Sequence, residues 1–261
     1  NTVRVVQVPE LTAQTDWSTA LQGVDVVVHS AARVHVMNET SADPLAEFRK
    51  VNVDGTLVLA RQAVAAGVQR FVFVSSIKVN GEGTELGRPY TADALANPSD
   101  PYGVSKYEAE QALLALAQET GLEVTIIRPV LVYGPGVKAN FRSMMKWLQR
   151  GLPLPLGAIH NKRSLVALDN LVDLILTCAE HPAAVNQVFL ASDGHDLSTT
   201  QMLQQLGVAL DKPARLLPVP MRLLNAAFAL LGKRSFSQRL CGSLQVDISK
   251  NQQLLGWTPP V

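Results

Sequence analysis

Two apolar runs, Phe71-Val72-Phe73-Val74 and Val124-Thr125-Ile126-Ile127, constrain this chain more than any other feature. Both are rich in β-branched and aromatic residues and lack the polar alternation of a half-exposed strand. Each therefore suits a strand covered on two faces, as in the parallel sheets of α/β proteins. Between them, from Tyr102 to Glu119, apolar residues recur at helical spacing (Val104, Ala109, Ala112, Leu113, Leu116).

The end of a strand buried on both faces is where its side chains first meet solvent, and the first run ends in Ser75-Ser76. In the helix that follows, Tyr102 and Lys106 lie one turn apart on one face, so both can act on a single ligand. A phenol, with its ordinary pKa of about 10, needs that pKa lowered to exchange protons near neutrality. A neighbouring ammonium lowers it by favouring the phenolate. The Tyr-x-x-x-Lys spacing alone also fits an ordinary surface pair. The Ser-Ser strand end upstream, the Pro-Tyr start of the helix and the second buried strand directly after it favour catalysis.

Composition narrows the partners. The chain has 261 residues, 47% of them hydrophobic, and a net charge of +1. It is long enough for a large core, and its charge leaves no electrostatic footprint for nucleic acid or an anionic membrane. Cys178 and Cys241 are too few for a disulfide framework and read as small buried hydrophobes, which fits a reducing cytoplasm. No apolar run reaches the roughly 20 residues a membrane helix needs, and no signal peptide precedes the first strand. Pro218, Pro220, Arg222 and Asn225 interrupt the nearest approach, Leu216 to Leu231, which reads as an amphipathic helix. His29, His35, His160, His181 and His195 are dispersed, so no metal site is expected.

Three motifs in order, Ser75-Ser76 with Gly81, Pro101-Tyr102-Gly103-Val104-Ser105-Lys106, and Arg128-Pro129 with Val132-Tyr133-Gly134-Pro135-Gly136, resemble the extended short-chain dehydrogenase/reductases. The closest branch is the nucleotide-sugar epimerases, dehydratases and 4-keto reductases. The resemblance implies an α/β, Rossmann-like doubly wound parallel sheet. It places a dinucleotide-binding domain at residues 1–135 and a mainly substrate-binding lobe at 136–261, with 169–192 returning to the main sheet. It implies Ser76, Tyr102 and Lys106 as catalytic residues and NAD as cofactor, with NADP left open. Cofactor contacts carried over from the family are Glu10, Leu11, Ala31, Ala32, Asn52, Ser75, Pro129 and Val132, beside Tyr102 and Lys106. Substrate contacts are Ser76, Lys78, Asn80, Tyr133, Asn140, Arg163 and Arg239. For Lys78 and Asn80 a solvent-facing role stands beside sugar binding, and for Tyr133 simple packing does.

A dinucleotide fold should open with a strand, a glycine-rich turn and a helix, the turn's N–H groups holding pyrophosphate. The only glycine cluster, Gly81 to Gly87, runs into Arg88-Pro89 and reads as a loop. Compared with the family, the chain starts at the third strand, and a longer chain is the expectation. Within what is present, Val3–Val8 reads as a strand and Asp16 as the cap of a helix through Leu21. Asp25–His29 is a second buried strand, ending in the small residues Ser30-Ala31-Ala32. Leu45–Gly67 is a long helix that carries Asn52 and closes on an αL-type glycine. Further helices are expected at 140–151, 169–178, where Asp169 is the cap, and 198–207.

The implied substrate is a UDP-hexose or UDP-N-acetylhexosamine altered at C4, with a bacterial polysaccharide subgroup often labelled UDP-glucose 4-epimerase as the nearest likeness. A 4-keto reductase of O-antigen synthesis shares the same catalytic residues and stays open. A 4,6-dehydratase needs an acid and a base beside the serine, and Ser76-Ile77-Lys78 offers neither. A non-catalytic cofactor sensor is disfavoured because such proteins usually lose the tyrosine. The family also implies a cytoplasmic homodimer, paired through the helices after Leu45 and Tyr102.

Overall fold

The computed structural model describes residues 3–261 except Pro9, 35–41, Lys138, Leu231 and Lys233, and leaves out the side chains of 139, 140, 234–236 and 239. Its main sheet is built from β1 (Val26–His29), β2 (Arg70–Val74), β3 (Glu123–Pro129) and β6 (Gln187–Ala191), all parallel and in that order. Parallel pairing demands crossovers, and helices supply them. The first crossover is α1 (Pro44–Arg49), which runs through a π-helical segment, Lys50–Gly55, into α2 (Thr56–Ala65). The second is α3 (Pro101–Thr120), and the third includes α5 (Leu168–Glu180).

Both faces of β2 and β3 are covered, whereas on β1 Val26 and Val28 are exposed, which corrects the expectation of a buried strand at Asp25–His29. Phe71, Phe73, Val124 and Ile126 pack under Leu59, Ala63, Leu113 and Leu116 of α2 and α3. Val72, Ile127 and Leu190 pack under Leu171, Leu174 and Cys178 of α5, beside Leu255 and Trp257 at the end of α9 (Ser249–Leu255). The two apolar runs thus alternate between two cores, which is why neither shows polar positions.

A second sheet joins β4 (Leu131–Tyr133), β5 (Arg163–Ala167) and β7 (Asp196–Leu197). Its core is formed by α4 (Ala139–Gln149) and α6 (Thr199–Ala209), with Phe141, Met144, Leu148, Met202 and Leu203 meeting Leu165. Two further helices, α7 (Met221–Leu230) and α8 (Arg234–Cys241), add Leu224 and Cys241. Both cysteines are buried and unbridged. β4 carries Val132 and Tyr133 into this second sheet, although the motif places them in the first unit.

Three local expectations change. Residues 3–8 form no strand; Val3 and Val5 are each 87% exposed and have no partner strand among the described residues. Asp16 caps only a turn, accepting from Ser18 N at 2.9 Å. Asp169 lies inside α5, whose N-cap is Ala167 without a side-chain bond. The long helix meets its expectation, with Asp43 capping Ala46 N, Pro44 at the first position and Gly67 left-handed at φ 82°. Among the described residues no helix is long and apolar enough to cross a membrane.

Two buried polar side chains tie the layers together. Arg70 on β2 pairs with Glu123 and donates to the carbonyls of Cys178, Ala179 and His181 at 3.0–3.2 Å. It thereby satisfies the last carbonyls of α5 with a cation, where the helix dipole favours one. His29 ends β1, pairs with Thr56 Oγ1 at 3.0 Å and stacks on Phe73. Burial, helped by the nearby Lys106 ammonium, holds its pKa down to about 4.

Replacing Arg70 with Ala leaves three carbonyls without their donor, and unfolding in urea should show a loss of about 3 kcal/mol. His29 is neutral in the folded state down to about pH 4, whereas the unfolded chain takes up the proton near 6.5. The unfolded state binds more protons between those values, so stability should fall as pH drops from 6.5 to 4. His29→Gln should flatten that part of the stability–pH curve.

Candidate active site

β2 ends inside the sheet, with Ser75 N donating to Ile127 O at 2.7 Å. The chain then turns sharply: Ser76 caps a 3-10 turn, Ile77–Val79, and its Oγ accepts from Lys78 N at 3.3 Å. α3 begins against this turn. Asp100 is its N-cap, accepting from Gly103 N at 2.6 Å, and Pro101 occupies the first position, where its missing N–H costs nothing. Position 103 must be glycine because a Cβ there would lie 2.9 Å from Lys78 O. The close approach brings the Tyr102 phenol beside the Ser76 hydroxyl, which favours the phenolate. Its ring meets Phe48 edge-on at 6.0 Å.

Lys106 sits one turn deeper. It is 1% exposed, donates to Val74 O at 2.7 Å and lies over the Phe73 ring at 3.9 Å. Burial brings its pKa down to about 7, opposed by the Glu110 carboxylate. Burial pushes the Tyr102 phenol up; the Ser76 hydroxyl and Lys78 lower its pKa, and Asp100 raises it. Lys78 contributes less than Asp100, and the Lys106 amine is turned onto Val74 O at the end of β2.

Beneath the two serines lies a buried polar network. Glu110, 1% exposed and one turn beyond Lys106, accepts from Ser75 Oγ and from Arg128 Nε (2.9 Å) and Nη2. Arg128 Nη1 donates to Asn80 Oδ1 at 3.0 Å, and Asn80 Nδ2 donates to Thr91 O at 3.3 Å. Ser75 and Asn80, expected at the cofactor and at the sugar, are both buried and engaged in this network. Asn80 is withdrawn from the mouth because its amide is consumed by a buried guanidinium. Glu110 and Arg128 were missed as a pair. Arg128 stood inside a quoted motif, and Glu110 follows Lys106 at i, i+4, a spacing that places them on one helix face.

Asn52 serves the opposite edge of the cleft. It lies in the π-helical segment, a distortion often found at functional sites. Its side chain accepts from Arg33 N at 2.8 Å, donates to Arg33 O at 3.1 Å and reaches Ser105 Oγ at 3.0 Å. It fixes the turn after β1, where Ser30 and Ala31 are exposed and Ala32 is half-buried. Leu11 crosses the same segment so closely that a Cβ on Gly55 would lie 2.9 Å from it, and Glu10 is exposed beside it.

Pro129 and Val130 close β3 next to Ala191. Val132 is half-buried against the second-face core of the main sheet. Tyr133 stacks on Phe141 at 5.8 Å and bonds to Asp193, with burial first and that carboxylate second raising its pKa to about 12. Arg163 is half-buried; its Nη1 donates to Gly242 O at 3.1 Å, and burial lowers its pKa. Gly242 is part of the wall of a cavity of about 470 Å³ between the Gly81–Glu85 loop and the end of α8, lined also by Thr84, Tyr90, Asn97, Gln238 and Ser243. The side chains of Asn140 and Arg239 lie outside the described residues.

A nicotinamide dinucleotide fits part of this arrangement. The small-residue turn after β1 is exposed at Ser30 and Ala31, and Tyr102 and Lys106 lie by the neighbouring strand end. The sequence has no glycine-rich strand-to-helix turn for a pyrophosphate.

The model of the NAD-dependent epimerase/dehydratase family matches residues 4–191. A UDP-glucose 4-epimerase of Vibrio cholerae is 54% identical over 255 residues, covering 97% of this chain and 78% of that protein. Among solved structures, the UDP-glucose 4-epimerase of Thermotoga maritima with UDP-glucose superposes with a TM-score of 0.69 at 26% identity, covering 91% of this chain and 72% of that one. A dTDP-glucose 4,6-dehydratase double mutant from Streptomyces venezuelae, with NAD bound, gives 0.70 at 26%, covering 94% and 71%. With the family model spanning most of the main sheet and the serine, tyrosine and lysine gathered at its carboxyl edge, the chain belongs to the NAD-dependent epimerase/dehydratase family.

Proposed function

We propose that the protein is a UDP-sugar 4-epimerase that uses NAD, acting on a UDP-hexose or UDP-N-acetylhexosamine. The observation that carries the reading is the seating of Gly103, at the start of α3, on the Lys78 carbonyl, which sets Tyr102 beside Ser76 at the end of β2 with Lys106 one turn below. The 54% identity to the Vibrio cholerae epimerase supports the choice of substrate and reaction.

Bound NAD supplies the reversible two-electron oxidation at the sugar carbon. The chain's own residues handle the oxygen and its proton. Tyr102 Oη takes the proton of the C4 hydroxyl as that oxygen becomes a carbonyl oxygen, and returns it to the same oxygen once the opposite face has reacted. Ser76 Oγ holds that oxygen throughout. We assign the cofactor's ribose to Lys106, whose amine gives one of its three N–H donors to Val74 O. Ala31, Ala32 and the turn braced by Asn52 form the cofactor's floor, with Glu10, Leu11, Pro129 and Val132 at its borders. Arg163 reaches the diphosphate through the wall at Gly242, its planar fork suiting paired oxygens, with Asn140 and Arg239 on the same lobe. We place the cofactor on residues 1–135 and the sugar nucleotide on the lobe 136–261. The enzyme is read as a cytoplasmic homodimer paired through α2 and α3.

A 4-keto reductase would use the same three residues, whereas 4,6-dehydration has no support in the buried Ile77 and the cationic Lys78 beside Ser76. Incubating the full-length protein with UDP-glucose, UDP-GlcNAc and a UDP-4-keto-6-deoxy sugar, with and without NADH, separates the possibilities. Isomerisation without net consumption of NADH supports the epimerase; stoichiometric consumption identifies a reductase.

Tyr102→Phe should reduce turnover by roughly 10²- to 10⁴-fold with NAD affinity retained, measured by steady-state kinetics and nucleotide titration. In parallel binding assays, Arg163→Ala should weaken UDP-sugar binding by about tenfold or more and leave NAD binding nearly unchanged.

A further inference from the structure

Lys78 has no part in the proton transfer just described, yet it touches everything that positions it. Its N–H donates to Ser76 Oγ. Its carbonyl lies directly under Gly103, so closely that no side chain fits between. Its ammonium pairs with Asp100 Oδ2, while the other oxygen of Asp100 caps α3 at Gly103 N. Glu82 is a second partner at 2.9 Å. One lysine therefore joins the turn that carries Ser76 to the helical turn that carries Tyr102.

We propose that Lys78 is a positioning residue of this active site, clamping the Ser76 turn to the first turn of α3 through Asp100. The proposal rests on Tyr102 as the proton-transfer group. The groups facing the phenol support the assignment. From its own helix cap comes the Asp100 carboxylate, from the 3-10 turn the Lys78 ammonium and the Ser76 hydroxyl, and from α1 the Phe48 ring, over whose face Arg33 lies at 5.7 Å. Lys106 follows one turn on, its amine committed to Val74 O. Burial and Asp100 hold the phenol in its neutral form, and Lys78 opposes them. Removing the lysine charge withdraws the favourable cation and leaves Asp100 unbalanced, and both effects raise the phenol's proton affinity. The same ion pair explains why a lysine at this mouth is poorly placed to hold sugar.

The test uses the full-length protein with Lys78→Met, Lys78→Arg and Lys78→Gln. Tyr102 ionisation is read as the ultraviolet difference between each protein and its Tyr102→Phe derivative, which cancels Tyr90, Tyr107 and Tyr133. Lys78→Met should move the midpoint to higher pH, shift the acid limb of the kcat profile in the same direction and lower kcat on that limb by about tenfold, with KM for the UDP-sugar little changed. Lys78→Arg should restore both profiles. An unshifted midpoint in Lys78→Met would overturn the proposal, as would a raised KM with an unshifted kcat profile, which would make Lys78 a substrate ligand. Should Lys78→Met fail to fold, Lys78→Gln removes the charge while keeping a polar contact to Asp100, and is held to the same outcomes. The titration needs no substrate, so absence of UDP-sugar turnover would overturn the epimerase reading and leave this one standing or falling on the midpoint.

Discussion

A carboxylate taken wholly out of water is tolerated only when its charge and lone pairs are met, and the site of this protein is built on such a group. Glu110 receives two bonds from the Arg128 guanidinium and one from Ser75. These partners come from α3, from β3 and from the end of β2, so a single ion pair sets the depth and rotation of the catalytic helix against two strands. A slip of α3 by one residue would turn Glu110 away and strand two charges in the core. The pair's stabilising value is offset by desolvation, and its larger effect is to leave one docking arrangement available.

Everything at the surface of the cleft inherits that arrangement. Lys106 stands one turn before Glu110, close enough to feel its charge. Tyr102 stands one turn earlier again, at the level of Ser76. The three levels of one helix face thus become a buried counter-charge, an amine and a phenol. The Lys78–Asp100 pair closes the same joint from the solvent side, so the turn after β2 is held from below by Arg128 on Asn80 and from above by Asp100 on Lys78.

Much of this was legible in the residues. The Phe71 and Val124 runs announced strands covered on both faces, and the spacing of Ala109, Leu113 and Leu116 announced α3, because uniform apolarity and a 3.6-residue period survive any arrangement of neighbours. Pro101-Tyr102 marked the start of that helix. Less was legible where a residue's role depends on distant partners. Asn80 and Ser75 looked like ligand-facing groups from their place at a strand end; only the fold brought Arg128 and Glu110 to engage them. Val3–Val8 had the composition of a strand, but a strand exists only where another lies beside it to complete its hydrogen bonds.

The amino-acid sequence by itself determined the two buried strands, the helix between them and the presence of a serine, a tyrosine and a lysine near one strand end, since each follows from local periodicity and from motifs contiguous along the chain. Only the tertiary structure decided which charged groups lie around the phenol. Lys106 is nearer to Tyr102 in register, yet burial turns its amine onto Val74 O and the Phe73 ring. Lys78, 24 positions away, is brought beside the first turn of α3 by the packing of Gly103 on its carbonyl. Electrostatic influence follows distance and solvent exclusion in space, and neither is written in the spacing of residues along a chain.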